Sequence, residues 1–431
     1  MRRFWLIGLL MPVLSLAQEP LSVDDAVAIG LRNSNAVKIA ESQSEQARQA
    51  RRQALGLLGP RVDAQLSHQR LTEATSFGQG VSGNKENTAG NLVITYPVDL
   101  LGVSRKAADA ARLNELAAEA NVEAVRTRVK GQIRAAYFNA VRAQEALSVQ
   151  QGLFRVTEER LRNARIRFEV GDIPRFDVLR FETQLTQADA EVLNATNQVR
   201  LSFQSLNRAL SRPAETEIVL APPAPVEDFA LADAELIALA LTERSEIRQL
   251  NYLRKARAFV TYTQRSGLTP SLTLRSTFSH NFKPSPFQLR NQGIFEAVVS
   301  VPIWDSGITR ARIASAREDE RQVELNLEDR KLDITLEVQS ALVQWRNALQ
   351  LLRVTQKSVE LQTEAVRIAQ LRYQEGESIL LELTQAQTDL TNAQSAEVSA
   401  RYQARIAAAA LRQAVGRDDL TNSVPTPEVQ N

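Results

Sequence analysis

The sequence predicts a mainly α-helical chain with a β contribution: long helical hairpins plus four amphipathic strands, internally duplicated. Three observations support that expectation. One sentence of sequence is written twice, because an offset of 205 residues places Ala164 on Ala369, Arg167 on Arg372, Phe168 on Tyr373, Gly171 on Gly376, Leu185 on Leu390, Leu206 on Leu411 and Arg212 on Arg417. Aromatics are only 5% of the residues, and the second half is dominated by Ala, Leu, Gln, Glu and Arg, the usage of extended helical hairpins and coiled coils. In one place per copy the apolar period changes from helical to two, the mark of a strand with one apolar face.

Met1 to Ala17 reads as a secretory signal: Arg2 and Arg3 begin it, Phe4 to Leu10 form its apolar core, and Ser15-Leu16-Ala17 is a small-residue cleavage site. Without it the chain has 50 basic and 50 acidic residues, so no general nucleic-acid surface is expected. Cysteine is absent, which excludes thiolate chemistry, disulfides and lipidation through cysteine. Beyond the signal no run of about 18 apolar residues exists, so a membrane-inserted form must use strands.

The first copy, 18–212, opens at Leu21-Ser22-Val23-Asp24-Asp25, with Ser22 as helix cap and the acids in the first turn. Apolar positions at helical spacing run to Gly56, with a break at Asn33-Ser34-Asn35. After Pro60, Val62, Ala64 and Leu66 alternate with Asp63, Gln65 and Ser67. A Gly/Ser/Asn-rich loop, 72–90, and a returning strand, 92–98, complete a hairpin at about 61–98. A proline-free helix from Val103 to about Val170 follows, on the order of 100 Å at about 1.5 Å per residue. Gly171 turns it into a shorter helix over 177–210. The linker 213–228 contains Pro213, Pro222, Pro223 and Pro225. The second copy, 229–417, repeats the order: a helix from Leu231, Pro270, a hairpin at about 271–303, a long helix from Ile308 to about Glu375, Gly376, and a helix over 382–415. A flexible tail, 418–431, is expected from its polarity and from Pro425 and Pro427.

Four such strands cannot close in lipid, where an open edge leaves backbone groups unpaired, so closure must come from further copies. Two copies give eight strands and three give twelve, and only the wider ring leaves a channel. The duplicated order, with Pro60 and Pro270 before strands, Val301-Pro302-Ile303-Trp304-Asp305-Ser306-Gly307 after one, and Gly376 with Glu382 at a helical tip, resembles the TolC family of outer-membrane efflux proteins. The resemblance covers nearly the whole chain. It implies a homotrimer with an outer-membrane β-barrel and a periplasmic α-helical barrel. It further implies docking to a periplasmic adaptor and an inner-membrane pump, in tripartite efflux or type I secretion.

By the same resemblance, Glu382 matches an acid of the family's periplasmic constriction, while Gln385 stands where a second acid is found. Asp177 and Tyr373 match a pair that hydrogen-bonds across neighbouring hairpins to hold the entrance shut, and Ser378 stands where the family can have an arginine in that lock. Gly171 and Gly376 mark the adaptor-docking tips. Taken alone, Glu382 and Asp177 are solvated helix charges and Tyr373 is helix packing; the duplicated context makes them gate candidates. Trp304 and Tyr96 suit a membrane interface, with ordinary packing under a turn as the alternative. His68 and His280 have no carboxylate pattern around them, so no metal or cofactor site is expected. No catalytic set is present, and an enzyme is not expected. The alternative is a periplasmic coiled-coil scaffold or adaptor, for which four strands with an apolar face would have no use.

Overall fold

The computed structural model describes residues 20–73, 84–226, 229, 232–285 and 288–420. The expected signal segment, residues 74–83 and 286–287 of the strand loops, 227–228 of the linker, and the tail beyond 420 lie outside the described residues. The first series of elements is α1 (Val23–Asn33), α2 (Asn35–Gly56), β1 (Arg61–Arg70), β2 (Glu86–Val98), α3 (Val103–Glu169) and α4 (Arg175–Ala209). The second repeats it as α5 (Asp233–Glu243), α6 (Ser245–Thr263), β3 (Ser271–Asn281), β4 (Asn291–Ser300), α7 (Ile308–Gln374) and α8 (Leu380–Val415). Both long helices, α3 and α7, are 67 residues.

Local chemistry sets the ends. The Ser22 hydroxyl accepts the Asp25 amide at 3.2 Å, closing the first turn of α1. Asp99 and Asp305 each receive backbone amides from the start of the following long helix: Ser104 at 3.2 Å and Arg105 at 3.0 Å, and Gly307 at 3.0 Å and Thr309 at 2.8 Å. The break expected at Ser34 is present, and an unexpected one follows at Arg244. Their backbones agree, φ −56° and ψ 120° against φ −61° and ψ 123°.

The chain forms two compact units, and neither is one of the sequence copies. One comprises Met1–Asn35, Thr127–Asp233 and Val338–Asn431; the other comprises Ala36–Arg126 and Ala234–Glu337. In the first, Ile133, Tyr137, Leu206, Leu210, Tyr402, Leu411 and Val415 are fully buried. The proline-rich linker is pinned there. Leu21 and Ala221 exchange backbone bonds with Val219 and Leu21 at 2.7 and 2.9 Å, and the Tyr137 hydroxyl lies 2.9 and 2.8 Å from the Leu21 and Ala221 carbonyls. Of the expected tail, residues 418–420 are anchored: Asp418 pairs with Lys130 and Arg134, both at 2.7 Å, and Leu420 is buried.

The other unit contains the sheet, antiparallel throughout in the order β1-β2-β3-β4. β2 begins at Glu86 and β4 at Asn291, earlier than the sequence suggests, because each residue of these polar, glycine-containing stretches pairs with a neighbouring strand. The register aligns Val62, Ile94, Ser276 and Phe295 in one row and Ala64, Leu92, Phe278 and Gly293 in the next. With Tyr96, Leu274 and Ala297 and then Val98, Leu272 and Val299, these make one apolar face. From Leu92 to Val98 it runs about 20 Å at about 3.3 Å per residue, close to the roughly 25 Å band of outer-membrane barrels. The opposite face carries Arg61, Asp63, Gln65, Asn91, Arg275, Thr277 and Glu296, with Val93, Ile294 and Val298 as exceptions. The apolar face is bare: Leu66, Phe295 and Val299 are 73%, 77% and 63% exposed. Among the described residues, the outer edges of β1 and β4 have no strand partner.

Candidate functional site: the helical hairpin tips

Each long helix stops because its next glycine enters the left-handed region, Gly171 at φ 80° and Gly376 at φ 75°. Glycine does so without the penalty of about 1–2 kcal/mol that a Cβ brings. The chain then folds back on its own carbonyls: Asp172 N–H donates to Arg167 O at 2.9 Å and Gly171 N–H to Phe168 O at 3.0 Å. The second tip repeats this with Glu377 to Arg372 at 2.9 Å and Gly376 to Tyr373 at 3.3 Å. Pro174 and Ile379 supply extended backbone before α4 and α8 and no side-chain cap. The first-turn acids are Asp177 and Glu382, which occupy equivalent places in the two copies.

The candidate gate residues have different surroundings. Glu382 accepts the Ser378 hydroxyl at 2.5 Å and faces Arg372 at 3.4 Å. Ser378 thus holds this acid from within its own turn. Gln385 donates to Asp389 at 3.0 Å, so an acid lies one turn beyond the position where a second was missed. Asp177 is half-buried and its side chain makes no hydrogen bond among the described residues. Tyr373 is not beside it as a partner. Its hydroxyl accepts Arg167 Nη1 at 3.5 Å, and the Arg167 guanidinium lies 5.6 Å from its ring. Arg167 is itself tied to Asp172 at 2.6 Å, and the hydrogen bond it donates to that carboxylate raises its already high pKa.

Behind the turns, Leu161 and Ala164 of α3, Val178 and Phe181 of α4 and Leu380 of α8 form one buried cluster, with Ile173, Leu185 and Tyr373 packed against it. The two hairpins thus share an apolar contact. The turns themselves are exposed, with Val170 and Phe176 presenting bare side chains. Sequence reasoning did not find Arg372 as the partner of Glu382, although its recurrence at the duplication offset of Arg167 was a signal. Nor did it find Arg160, whose Nη2 donates to Gln387 Oε1 at 3.1 Å across 227 positions, a proximity no local pattern encodes. Among the described residues no group of three or more His, Cys, Asp or Glu side chains is placed to hold a metal ion.

Comparison with known proteins gives a consistent result. The family described as "Outer membrane efflux protein" matches residues 29–212 and 236–417, one segment for each copy. Nodulation protein T of Rhizobium leguminosarum bv. viciae is 24% identical over 343 residues, covering 77% of this chain and 70% of its own. The fold is that of the CmeC outer membrane channel of Campylobacter jejuni, with a TM-score of 0.80 at 19% identity over 91% of this chain and 85% of the other. The MtrE outer membrane channel of Neisseria gonorrhoeae, in its open state, superposes with a TM-score of 0.78 at 21% identity, covering 94% and 91%.

Proposed function

Because the chain belongs to the outer membrane efflux protein family and is an outer-membrane efflux channel with a large periplasmic helical portion, we propose that it works as a homotrimer whose hairpin tips gate the periplasmic entrance. The carrying observation is the four-stranded sheet with an apolar face and two unpaired edges. Such a sheet is stable in lipid only when closed. Three copies give a twelve-stranded barrel, wide enough for a water-filled bore lined by the face that carries Arg61, Asp63, Arg275 and Glu296.

A second feature supports the trimer. On α7 the apolar side chains Leu325, Leu332, Leu336, Val343, Val354 and Leu361 are more than half exposed at heptad-like spacing. Helices with such a stripe bury it against another helix. The order of elements along the chain follows the duplication, two repeats over 18–212 and 229–417 joined by the linker 213–228, while each compact unit draws segments from both.

In this reading Gly171 and Gly376 mark the tips that meet a periplasmic adaptor, which couples the channel to an inner-membrane pump. Glu382, with Gln385 and the nearby Asp389, lines the constriction. Among the described residues the Asp177 side chain makes no hydrogen bond and the Tyr373 hydroxyl has one long contact, to Arg167 at 3.5 Å, so both are available to a neighbouring subunit's hairpin. The pair then latches the closed entrance. The test is single-channel recording in planar bilayers: Asp177→Ala with Tyr373→Phe should raise conductance severalfold. Unchanged conductance removes the latch, whereas a protein that is monomeric and soluble without detergent removes the channel itself.

A further inference from the structure

Between the two hairpins, just behind the tips, lies a cavity of about 410 Å³. Its wall includes Arg160 and Arg167 from α3, Ile173 from the turn, Phe181 from α4, and Tyr373 and Gln374 from α7. Pockets of this size accept small organic ligands, and a few convergent polar groups on apolar walls fix their orientation.

The chemistry of that wall is uneven. Arg167 has its carboxylate, Asp172. Among the described residues Arg160 makes no ion pair: it is half-buried, and the one hydrogen bond it makes there, to the neutral amide of Gln387, uses one of five donors. Burial pushes the Arg160 pKa down, opposed only by the adjacent Glu159. A guanidinium held this way gains most from a planar carboxylate, which it can take with two parallel hydrogen bonds. Phe181 and Ile173 offer an apolar bed, and the Gln374 amide offers a further donor. A polyanion would meet too few donors and too much hydrocarbon here.

We propose that this cavity is a binding site for a small apolar monocarboxylate, held by Arg160 with its hydrocarbon part against Phe181 and Ile173. A ligand there touches elements of both hairpins, so it binds the closed tip better than one whose hairpins have parted. It therefore stabilises closure by that difference in affinity. The site itself is independent of the gating role given to the tips; its effect on conductance rests on that role.

Benzoate and its neutral isostere benzamide are the probes, titrated by calorimetry into the full-length detergent-solubilised protein. Benzoate should bind saturably, benzamide at least tenfold more weakly, and Arg160→Gln should weaken benzoate at least tenfold. Arg160→Lys, which keeps the charge, should recover part of the loss and shows that the effect is not one of misfolding. No saturable benzoate binding, as when a neighbouring subunit's carboxylate already fills the cavity, overturns the proposal. So does equal binding of benzamide or by Arg160→Gln. In bilayers benzoate should lower the conductance of the wild type and not of Arg160→Gln. Binding by calorimetry without any effect on conductance would leave the site standing and overturn its coupling to closure.

Discussion

Ser211 and Gly416 end α4 and α8 at equivalent places in the duplication, and both are left-handed, with φ of 55° and 83°. Each end is closed by the same backbone bond, Arg212 N–H to Asn207 O at 2.9 Å and Arg417 N–H to Arg412 O at 3.2 Å. Only one of them has the residue this conformation favours. Ser211→Gly should therefore stabilise the protein by about 0.5–1 kcal/mol and Gly416→Ala should destabilise it by about 1 kcal/mol, read as opposite shifts of the thermal midpoint in detergent. Ser378→Ala tests another single contact. It removes the 2.5 Å hydrogen bond to Glu382 and leaves that acid, among the described residues, with Arg372. The cation-to-anion permeability ratio of the channel should change, while thermal stability shifts by less than about 1 kcal/mol for an exposed contact. At this scale the sequence was legible where a residue acts through its own backbone, as at Gly171 and Gly376. It was illegible where a side chain's partner is distant, as for Arg160 with Gln387.

Elements were legible through their periods. The alternation of Val62, Ala64 and Leu66 located β1, and the same alternation after Pro270 located β3. The starts of β2 and β4 were hidden, since Asn87, Gly90, Asn291 and Gly293 read as loop until pairing with neighbouring strands overrides their propensity. The break between α5 and α6 was hidden too, because Glu243-Arg244-Ser245 contains no residue that ends a helix by itself. Charge holds it open: Arg244, 7% exposed, binds Glu246 at 2.6 Å and Glu337 at 2.8 Å, and Arg330 reaches Glu337 at 2.9 Å and Glu246 at 3.4 Å. Burial alone would push the Glu246 pKa up. The hydrogen bond and charge of Arg244, with help from Arg330, outweigh it and hold the carboxyl below its ordinary value. A depressed carboxylate stabilises the fold above its unfolded pKa of about 4.3, and that stability is lost as pH falls through the lower folded value. Glu246→Gln should therefore cost on the order of 2 kcal/mol at pH 7. Its melting curve should converge on that of the wild type as the pH falls below that depressed value. A constant difference across the range would mean the carboxylate's charge contributes nothing.

At the scale of the whole molecule, the bare stripe of α7 and the open sheet point to the same missing material, further copies of the chain. Leu332→Glu with Leu336→Glu places charge on two residues that are 70% and 63% exposed in the single chain. If the stripe is a subunit interface, the double variant should lose its trimer band on mild electrophoresis while its circular dichroism stays helical. A surviving trimer would place the interface elsewhere. The duplication, and with it the order of elements apart from the break between α5 and α6, was written in the sequence. The division into two compact units was not, since each draws segments from both copies and depends on which distant helices pack. The two unmatched strand edges also bear on how the protein is made. A lone nascent subunit has no finished sheet to bury, so the rate at which barrels appear in vesicles should rise more steeply than linearly with subunit concentration. In the proposed trimer, becoming folded in the bilayer and finding companions are a single event.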